Sequence, residues 1–213
     1  DSLRSRGLGD VYKRQEKGGS GKTTTSMHLL ISLVKLGFNV GSIDIDSRQL
    51  SLSRYLENRA KTMAADGIEL PMTEHYSIHK SRQTFEYVRQ AEADERQRFL
   101  SAFNTMQRRK DFILIDTPGS DTYLSRLAHS YADTIITPIN DSFIDFDVLA
   151  NVDGNTGEII RPSVYTQMLW EMGKAGKDAE DKADGIVMRN RLSHLDAKNK
   201  RKVLEALNKL SPE

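Results

Sequence analysis

The stretch from Glu16 to Thr23, EKGGSGKT, constrains the fold of this chain more than any other part of its sequence. Its closely spaced glycines let successive backbone N–H groups curl around an anion, because glycine adopts conformations that other residues avoid. Lys22 would then neutralise phosphate oxygens, the Thr23 hydroxyl would bind Mg²⁺, and a helix starting there would offer its positive end to the anion. The stretch predicts a phosphate-binding loop, although by itself it is equally compatible with a glycine turn and a threonine helix cap.

Carboxylates follow two apolar segments downstream of the loop. FNVGSIDID predicts a strand that ends in Asp44 and Asp46, and FILIDTPG predicts a buried strand that ends in Asp116 before a Pro-Gly turn. Residues two apart on a strand share a face, so Asp44 and Asp46 can both turn toward the phosphates. The plainer interpretations are solvated acids at a strand end and an ordinary strand-to-turn transition. The loop and the two acidic segments, in this order, favour an ATPase.

Helices and strands alternate along the rest of the chain. A helix over 23–36 has an apolar stripe and a stop at Gly37; the stripe residues are Met27, Leu30, Ile31 and Val34, widened by Leu29 and Leu33. Further helices are predicted at 48–65, 81–109 and 193–210, strands at ADTIITPIN and DGIVMRNRL, and an irregular segment at 66–80. This order predicts an α/β fold, a P-loop NTPase with a mostly parallel sheet and helices on both faces.

Composition narrows the class of protein. A chain of 213 residues suffices for one sizeable α/β domain, and the net charge of +1 means that any basic patch must be local. The absence of cysteine excludes disulfides, thiolate metal sites and cysteine nucleophiles, and fits a reducing cytoplasm. No apolar run approaches the ~20 residues of a membrane span, so no membrane partner is predicted.

The last segment is locally basic. Between Arg189 and Leu210 there are seven basic and two acidic residues. On a helix, Lys198, Lys202 and Lys209 fall together with Arg201 beside them. Val203, Leu207 and Leu210 fall on the opposite side. A basic face backed by an apolar one suits contact with a phosphate backbone without base reading. The plainer interpretation is a solvated helix face.

An additional lysine, Lys17, makes the loop resemble that of the deviant Walker A ATPases, the family of ParA and MinD. In that family the early lysine reaches the nucleotide of a partner subunit, and two subunits sandwich two ATP molecules. The resemblance implies that Asp46 positions or activates the attacking water, that Asp116 holds Mg²⁺ through water, and that Gly119 senses the γ-phosphate. The ATP-binding residues it implies are Lys17, Gly18, Gly19, Ser20, Gly21, Lys22, Thr23, Thr24, Asp44, Asp116, Gly119 and Asn190, with Asp44 nearer the metal and Asn190 at the adenine.

Longer phrases, such as IDIDSRQLSLSRYLENR, RLAHSYADTIITPINDSFIDFDVL and RPSVYTQMLWE, resemble the MipZ family of division-plane positioning ATPases from about Glu16 to Leu210. In that family an ATP-bound homodimer binds DNA without sequence preference, is recruited by the centromere-binding protein ParB and blocks assembly of the tubulin-like protein FtsZ. The resemblance implies a cytoplasmic, nucleoid-associated protein. Its implied DNA contacts are Arg189, Arg191, Lys198, Arg201 and Lys202.

Two other functions fit the same loop. A ParA-type chromosome or plasmid partitioning ATPase would share the chemistry and act on a different client. A P-loop metabolic ligase or reductase would belong to another class. The lack of cysteine argues against an iron–sulfur reductase subunit, and the basic helix argues weakly against a ligase.

Residues 1–15, DSLRSRGLGDVYKRQ, do not match the apolar strand that precedes the loop in this family. Gly7 and Gly9 weaken strand formation, and only Val11 and Tyr12 are adjacent strand formers. We expect a non-native, adapter-derived and disordered segment at 1–15, joined near Gln15 to a partial ATPase domain at 16–213 that lacks its first strand and its C-terminal end. We also expect little native strand before the loop.

Overall fold

The computed structural model describes residues 19–81, 87–140, 148–153, 159–167 and 184–190, together with Arg201, Glu205 and Asn208. They fall into two compact units. The first unit is Lys22–Ala128, and the second comprises the described residues up to Gly21 and from His129 onward. The expectation for residues 1–15 lies outside the described residues and stays a prediction.

The first unit is built around a parallel three-stranded sheet. Its elements are α1 (Lys22–Lys35), β1 (Val40–Asp44), α2 (Ser51–Asp66), β2 (Glu74–Ser77), α3 (Val88–Gln107) and β3 (Phe112–Asp116), and α4 (Tyr123–Ser130) follows them. The strands lie in the order β2-β1-β3, and both pairs are parallel. The register sets Asp44 opposite Asp116, so the carboxyl ends of two neighbouring strands carry acids side by side.

Helices cover both faces of this sheet, as the sequence predicts. Leu30 of α1 and Leu52 of α2 form a buried cluster with Val40 of β1. Side chains alternate along a strand, so the next residue, Gly41, faces the opposite side. There an added Cβ would lie 2.4 Å from the sulfur of Met106 in α3. Because side chains alternate along β1, α1 and α2 pack on one face of the sheet and α3 packs on the other.

The apolar stripe and the end of α1 are confirmed. Four predicted stripe residues pack against the buried cluster: Met27, Ile31, Leu33 and Val34. The Phe38 N–H donates to the Leu33 carbonyl at 3.1 Å, and the Gly37 N–H donates to the Val34 carbonyl at 3.0 Å. Gly37 has a φ of 95°, which glycine adopts at little cost, and it closes a Schellman motif.

The helix before β3 also has the predicted stripe. Phe99 and Met106 of α3 are fully buried, and Phe103 stacks on Phe99 with 5.9 Å between ring centroids. Glu95 is buried on the same helix, where its carboxylate accepts a hydrogen bond from the Ser81 backbone N–H at 2.8 Å. This bond satisfies a buried acid and ties the chain after β2 to α3.

The expectation that residues 66–80 are irregular is wrong at 74–77. These residues form β2, whose register with β1 runs from Gly41↔Glu74 to Asp44↔Ser77. The sequence EHYS has one strong strand former, Tyr76, so pairing with β1 rather than local propensity makes this segment a strand. The observed β1 is shorter than the predicted FNVGSIDID, and α2 begins at Ser51 rather than at Arg48.

The second unit contains two small sheets. β4 (Thr134–Ile139) and β7 (Asp184–Arg189) are parallel, as the sequence predicts. β5 (Ala150–Val152) and β6 (Ile159–Pro162) are antiparallel and were not predicted, because both are short and one ends in proline. Arg201, Glu205 and Asn208 are helical and exposed, in agreement with a helix over 193–210. Within the described ranges, no helix is both long and apolar enough to cross a membrane.

Candidate nucleotide-binding site

The predicted loop has glycine-specific backbone conformations. Gly19 has a φ of 130° and Gly21 a φ of 88°, values that residues with side chains rarely adopt. α1 begins at the next residue, Lys22. The free N–H groups of its first turn, with the positive end of the helix dipole, are groups that bind anions in proteins.

In the first unit, two side chains of α1 form hydrogen bonds with Asp116, the last residue of β3. The Thr23 hydroxyl donates to Asp116 Oδ2 at 2.8 Å, and the Ser26 hydroxyl donates to Asp116 Oδ1 at 2.9 Å. Thr23 and Ser26 are three residues apart, so they lie on the same side of the helix. The sequence predicts that Thr23 and Asp116 act together, and the structure places them in direct contact.

The Asp116 carboxyl is in an environment that disfavours its charge. Its side chain is only 2% exposed. Burial raises the pKa of Asp116 to about 6, and the nearby carboxylates of Asp44 and Asp46 add to the increase, whereas the hydrogen bonds from Thr23 and Ser26 oppose it. A carboxylate buried beside other acids would be stabilised by a bound cation.

The donor atoms around Asp116 fit Mg²⁺. This ion prefers hard oxygen ligands and commonly takes one or two protein oxygens, with water and phosphate completing its shell. The Thr23 hydroxyl and the Asp116 carboxylate are such oxygens, 2.8 Å apart. No group of three or more His, Cys, Asp or Glu able to hold a metal occurs among the residues that the structure describes. A phosphate-bound Mg²⁺ does not need one.

Asp44 is fully buried and caps α2. Its Oδ2 accepts hydrogen bonds from the backbone N–H and the hydroxyl of Ser53, both at 3.0 Å. Its Oδ1 accepts from the Asp46 backbone N–H at 3.0 Å. These bonds satisfy a free donor in the first turn of α2 and place a negative charge at its positive end. A direct contact of Asp44 with nucleotide stays a prediction.

Asp46 lies in the turn between β1 and α2 and is partly exposed. Its Oδ1 accepts hydrogen bonds from the backbone N–H groups of Arg48, at 3.3 Å, and Gln49, at 3.1 Å. These local bonds hold the turn, as aspartate side chains commonly do. The backbone N–H of Asp46 is held in turn by Asp44.

Two asparagines hold the loop carbonyls in the second unit. The Asn190 amide donates to the Ser20 carbonyl at 3.0 Å, and its backbone N–H donates to the Ile139 carbonyl at 2.7 Å. A Cβ added at Gly21 would lie 2.0 Å from the Asn190 amide nitrogen, so this contact requires glycine unless Asn190 moves. The Asn140 amide lies 3.5 Å from the Gly19 carbonyl, and its buried Oδ1 has no hydrogen-bond partner among the described residues. The adenine contact of Asn190 stays a prediction.

The remaining predicted residues are less informative. Lys22 and Thr24 lie in the first turn of α1, and Gly119 is exposed in the turn after β3. Arg189 is the last residue of β7, and Arg201 is exposed on a helix. Five predicted residues lie outside the described ranges: Lys17, Gly18, Arg191, Lys198 and Lys202.

The sequence did not reveal three polar residues that complete these contacts: Ser26, Ser53 and Asn140. It also did not reveal His75, whose Nε2 lies 2.9 Å from the Ser53 hydroxyl. Ser26 could have been found from its helical spacing to Thr23. Ser53 could not have been found in this way, because its partner Asp44 lies nine residues earlier in a different element. His75 carries no such signal, because β2 itself was not predicted.

The chain is similar in sequence to a family of ATPases and to two proteins assigned as septum site-determining. A sequence profile of the family described as ATPase MipZ matches residues 11–213. The chain is 32% identical over 133 residues to a protein of Chlorella vulgaris assigned as septum site-determining protein MinD, covering 57% of this chain and 47% of that protein. A similar assignment in Mesostigma viride is 33% identical over 113 residues, covering 48% and 40%. The matched part spans less than half of each relative.

Solved structures share the fold. The McdA–ATP complex of Cyanothece superposes with a TM-score of 0.58 at 18% identity, covering 93% of this chain and 77% of that one. Cobyrinic acid a,c-diamide synthase of Mycobacterium smegmatis, solved with an ATP analogue and magnesium, gives a TM-score of 0.54 at 16% identity, covering 91% and 79%. At this identity the similarity confirms the α/β fold and no particular activity.

Proposed function

This chain belongs to the MipZ family of ATPases, and from that membership we propose that it is an ATP-dependent regulator of division-site placement. In this proposal the protein binds ATP with Mg²⁺, forms a homodimer in the ATP-bound state and returns to monomers after hydrolysis. The dimer binds DNA without sequence preference and the ParB centromere protein, and it inhibits FtsZ assembly. Its location is the cytoplasm, at the nucleoid.

The observation that carries the nucleotide part is the bond between Thr23 and Asp116. These residues are 93 positions apart in the chain, yet their oxygens are 2.8 Å apart. One belongs to the lysine-threonine end of the loop motif and the other ends an apolar strand, as a P-loop ATPase requires. The cost of burying Asp116, visible in its raised pKa, supports a role that involves a cation.

Each residue has a defined role in the proposed reaction. Lys22 neutralises phosphate charge, and the first N–H groups of α1 bind phosphate oxygens. Thr23 and, through water, Asp116 would hold Mg²⁺, and the ion would supply positive charge to the phosphates. Asp46 orients the attacking water and accepts its proton. The Asp46 carboxylate is near enough to Asp116 to raise the pKa of that acid, and the β1–β3 register sets Asp44 opposite Asp116.

The partners rest on family membership and on the sequence rather than on a described interface. The relatives assigned as septum site-determining MinD support a role in division. The basic residues between Arg189 and Leu210 support DNA binding through phosphates. The exposed position of Arg201 on a helix supports such a contact with DNA phosphates.

The nucleotide proposal is tested with three variants. Lys22→Ala should weaken ATP–Mg²⁺ binding about tenfold or more, because a charge-assisted phosphate contact is lost. Asp46→Ala should bind ATP within about threefold of wild type and lose at least about a hundredfold in kcat, because the water loses its base. Lys35→Ala, an exposed lysine at the other end of α1, is the matched control. Equal turnover by wild type and Asp46→Ala would remove the role of Asp46.

A separate measurement tests the client. FtsZ assembly is followed by sedimentation with this protein and ATP, and with ADP as the control. We expect less polymer with ATP only. Normal ATPase activity with no effect on FtsZ would instead favour a partitioning ATPase.

A further inference from the structure

A hydrogen-bonded chain of four side chains lies inside the first unit. The Ser42 hydroxyl is 2.9 Å from His75 Nδ1, and His75 Nε2 is 2.9 Å from the Ser53 hydroxyl. The Ser53 hydroxyl donates to Asp44 Oδ2 at 3.0 Å. Ser42, Ser53 and Asp44 are all buried, and Ser42 lies opposite His75 in the β1–β2 register.

The number of available hydrogens determines which group donates in the hydrogen bonds around Ser53. A serine hydroxyl has one hydrogen, and Ser53 gives it to Asp44. Its oxygen must therefore accept a hydrogen from His75 Nε2. The hydrogen bonds therefore require a proton on Nε2. In the neutral ring, Nδ1 accepts the hydrogen of Ser42.

The surroundings of His75 agree with the neutral form. Burial lowers the pKa of His75, although the carboxylates of Asp44 and Glu57 act in the opposite direction. A neutral imidazole serves as donor and acceptor at once, so it can bond to both serines.

The hydrogen-bonded side chains end at Asp44, and Asp44 in turn holds the backbone of Asp46, the residue that carries the proposed chemistry. Asp44 accepts from Ser53 on one oxygen and from the backbone N–H of Asp46 on the other, at 3.0 Å. The orientation of the Asp44 carboxylate therefore sets the position of the Asp46 backbone. Three consecutive hydrogen bonds connect His75 to Asp46 through Ser53 and Asp44.

We propose that His75 is a positioning residue for ATP hydrolysis, which fixes Asp46 through Ser53 and Asp44. This inference rests on the proposed function, because it assigns His75 to the water-activating step. His75 contacts neither nucleotide nor water in this role. Its contribution is to hold Asp44 in one orientation, so that Asp46 enters the turn before α2 in a single position.

The test compares replacements of two histidines. His75→Leu removes both hydrogen bonds at similar volume, whereas His75→Gln keeps an amide donor in place of Nε2. His79→Leu is the matched control, because His79 is exposed four residues further along the chain. We expect His75→Leu to lower kcat about tenfold, as expected for a lost buried hydrogen bond, with KM for ATP within about twofold. His75→Gln should recover most of kcat, and His79→Leu should match wild type.

A second arm tests the path through Ser53. If His75 acts through this hydroxyl, Ser53→Ala and His75→Leu are not additive, and the double variant is hardly slower than the slower single variant. Full additivity, or equal losses in His75→Leu and His75→Gln, would overturn the proposal. A higher KM for ATP with unchanged kcat in His75→Leu would also overturn it.

A third arm does not depend on activity. Imidazole nitrogen chemical shifts report the His75 tautomer, and amide hydrogen exchange reports the Asp46 N–H. We expect the Nε2–H tautomer in wild type and about tenfold faster exchange at Asp46 in His75→Leu than in His79→Leu. Equal exchange in these two variants would contradict the inference. If the wild-type protein neither binds nor hydrolyses ATP, the proposed function is overturned instead. The exchange measurement would still show whether His75 holds Asp46.

Discussion

At the scale of single residues, Asp116 shows the conflict between stability and function. Its carboxyl is buried next to other acids, and its folded pKa of about 6 lies above the ordinary value of 3.8. Between about pH 4 and about pH 6, the Asp116 carboxyl is therefore still protonated in the folded protein but already ionised in the unfolded chain. Stability therefore falls as pH rises from about 4 to about 6, and the loss persists above pH 6 in the absence of a cation.

Asp116→Asn should consequently stabilise the metal-free protein. Asparagine avoids the ionisation cost, so the free energy of unfolding at pH 8 should increase by up to about 3 kcal/mol, with little change at pH 4. Urea unfolding at both pH values in EDTA measures this difference. Asp66→Asn, at an exposed acid in the last turn of α2, is the control variant. A loss of stability at pH 8 in Asp116→Asn would show that the ionised form is favoured by the fold.

The same residues show what could be predicted from the sequence. Thr23 and Asp116 belong to motifs whose spacing is set by the chemistry of phosphate binding, so their meeting could be predicted. The bonds from Ser53 and His75 to this region depend on the packing of α2 and β2 against β1. No local pattern encodes that packing.

At the scale of elements, long apolar segments were predictable and short polar ones were not. α1 and β3 have enough apolar residues for periodicity to identify them. β2 has four residues and becomes a strand only because β1 offers hydrogen-bonding partners along its edge. β5 and β6 are similarly short and depend on each other.

The edge of β3 bears on the expected non-native segment at residues 1–15. Within the described ranges, β3 pairs with β1 alone, so no described strand covers its other edge. We propose replacing residues 1–15 with an apolar strand of the kind found before the loop in this family. Paired backbone groups and added apolar contacts should raise the thermal midpoint by several degrees and increase soluble yield.

The control for this replacement is a polar glycine-serine segment of equal length. It should leave both the thermal midpoint and the soluble yield unchanged, because it forms no strand. If the original chain is already monodisperse and binds ATP tightly, the expectation for residues 1–15 is wrong.

At the scale of the whole molecule, nucleotide, assembly and DNA binding should be coupled. Family resemblance gives Lys17 a contact with the nucleotide of a partner subunit, and the basic residues near the C-terminus a contact with DNA. The proposed dimer would present two basic faces to one duplex, so its second contact would be intramolecular and would strengthen binding without any new type of interaction. ATP should therefore increase DNA affinity only when the protein can dimerise.

Two variants separate these steps. Lys17→Ala should reduce ATP-dependent dimerisation in sedimentation velocity and, with it, ATP-stimulated DNA binding, while the weak binding of the monomer persists.

Arg201→Glu combined with Lys202→Glu should dimerise normally and bind DNA about a hundredfold more weakly, because opposed charges replace phosphate contacts. Wild-type binding should be independent of sequence and fall steeply with salt, and fluorescence anisotropy on random duplexes at several salt concentrations measures both properties. DNA binding that survives the double charge reversal would make Arg201 part of a solvated helix face, and normal dimerisation of Lys17→Ala would make that lysine a structural residue of the loop.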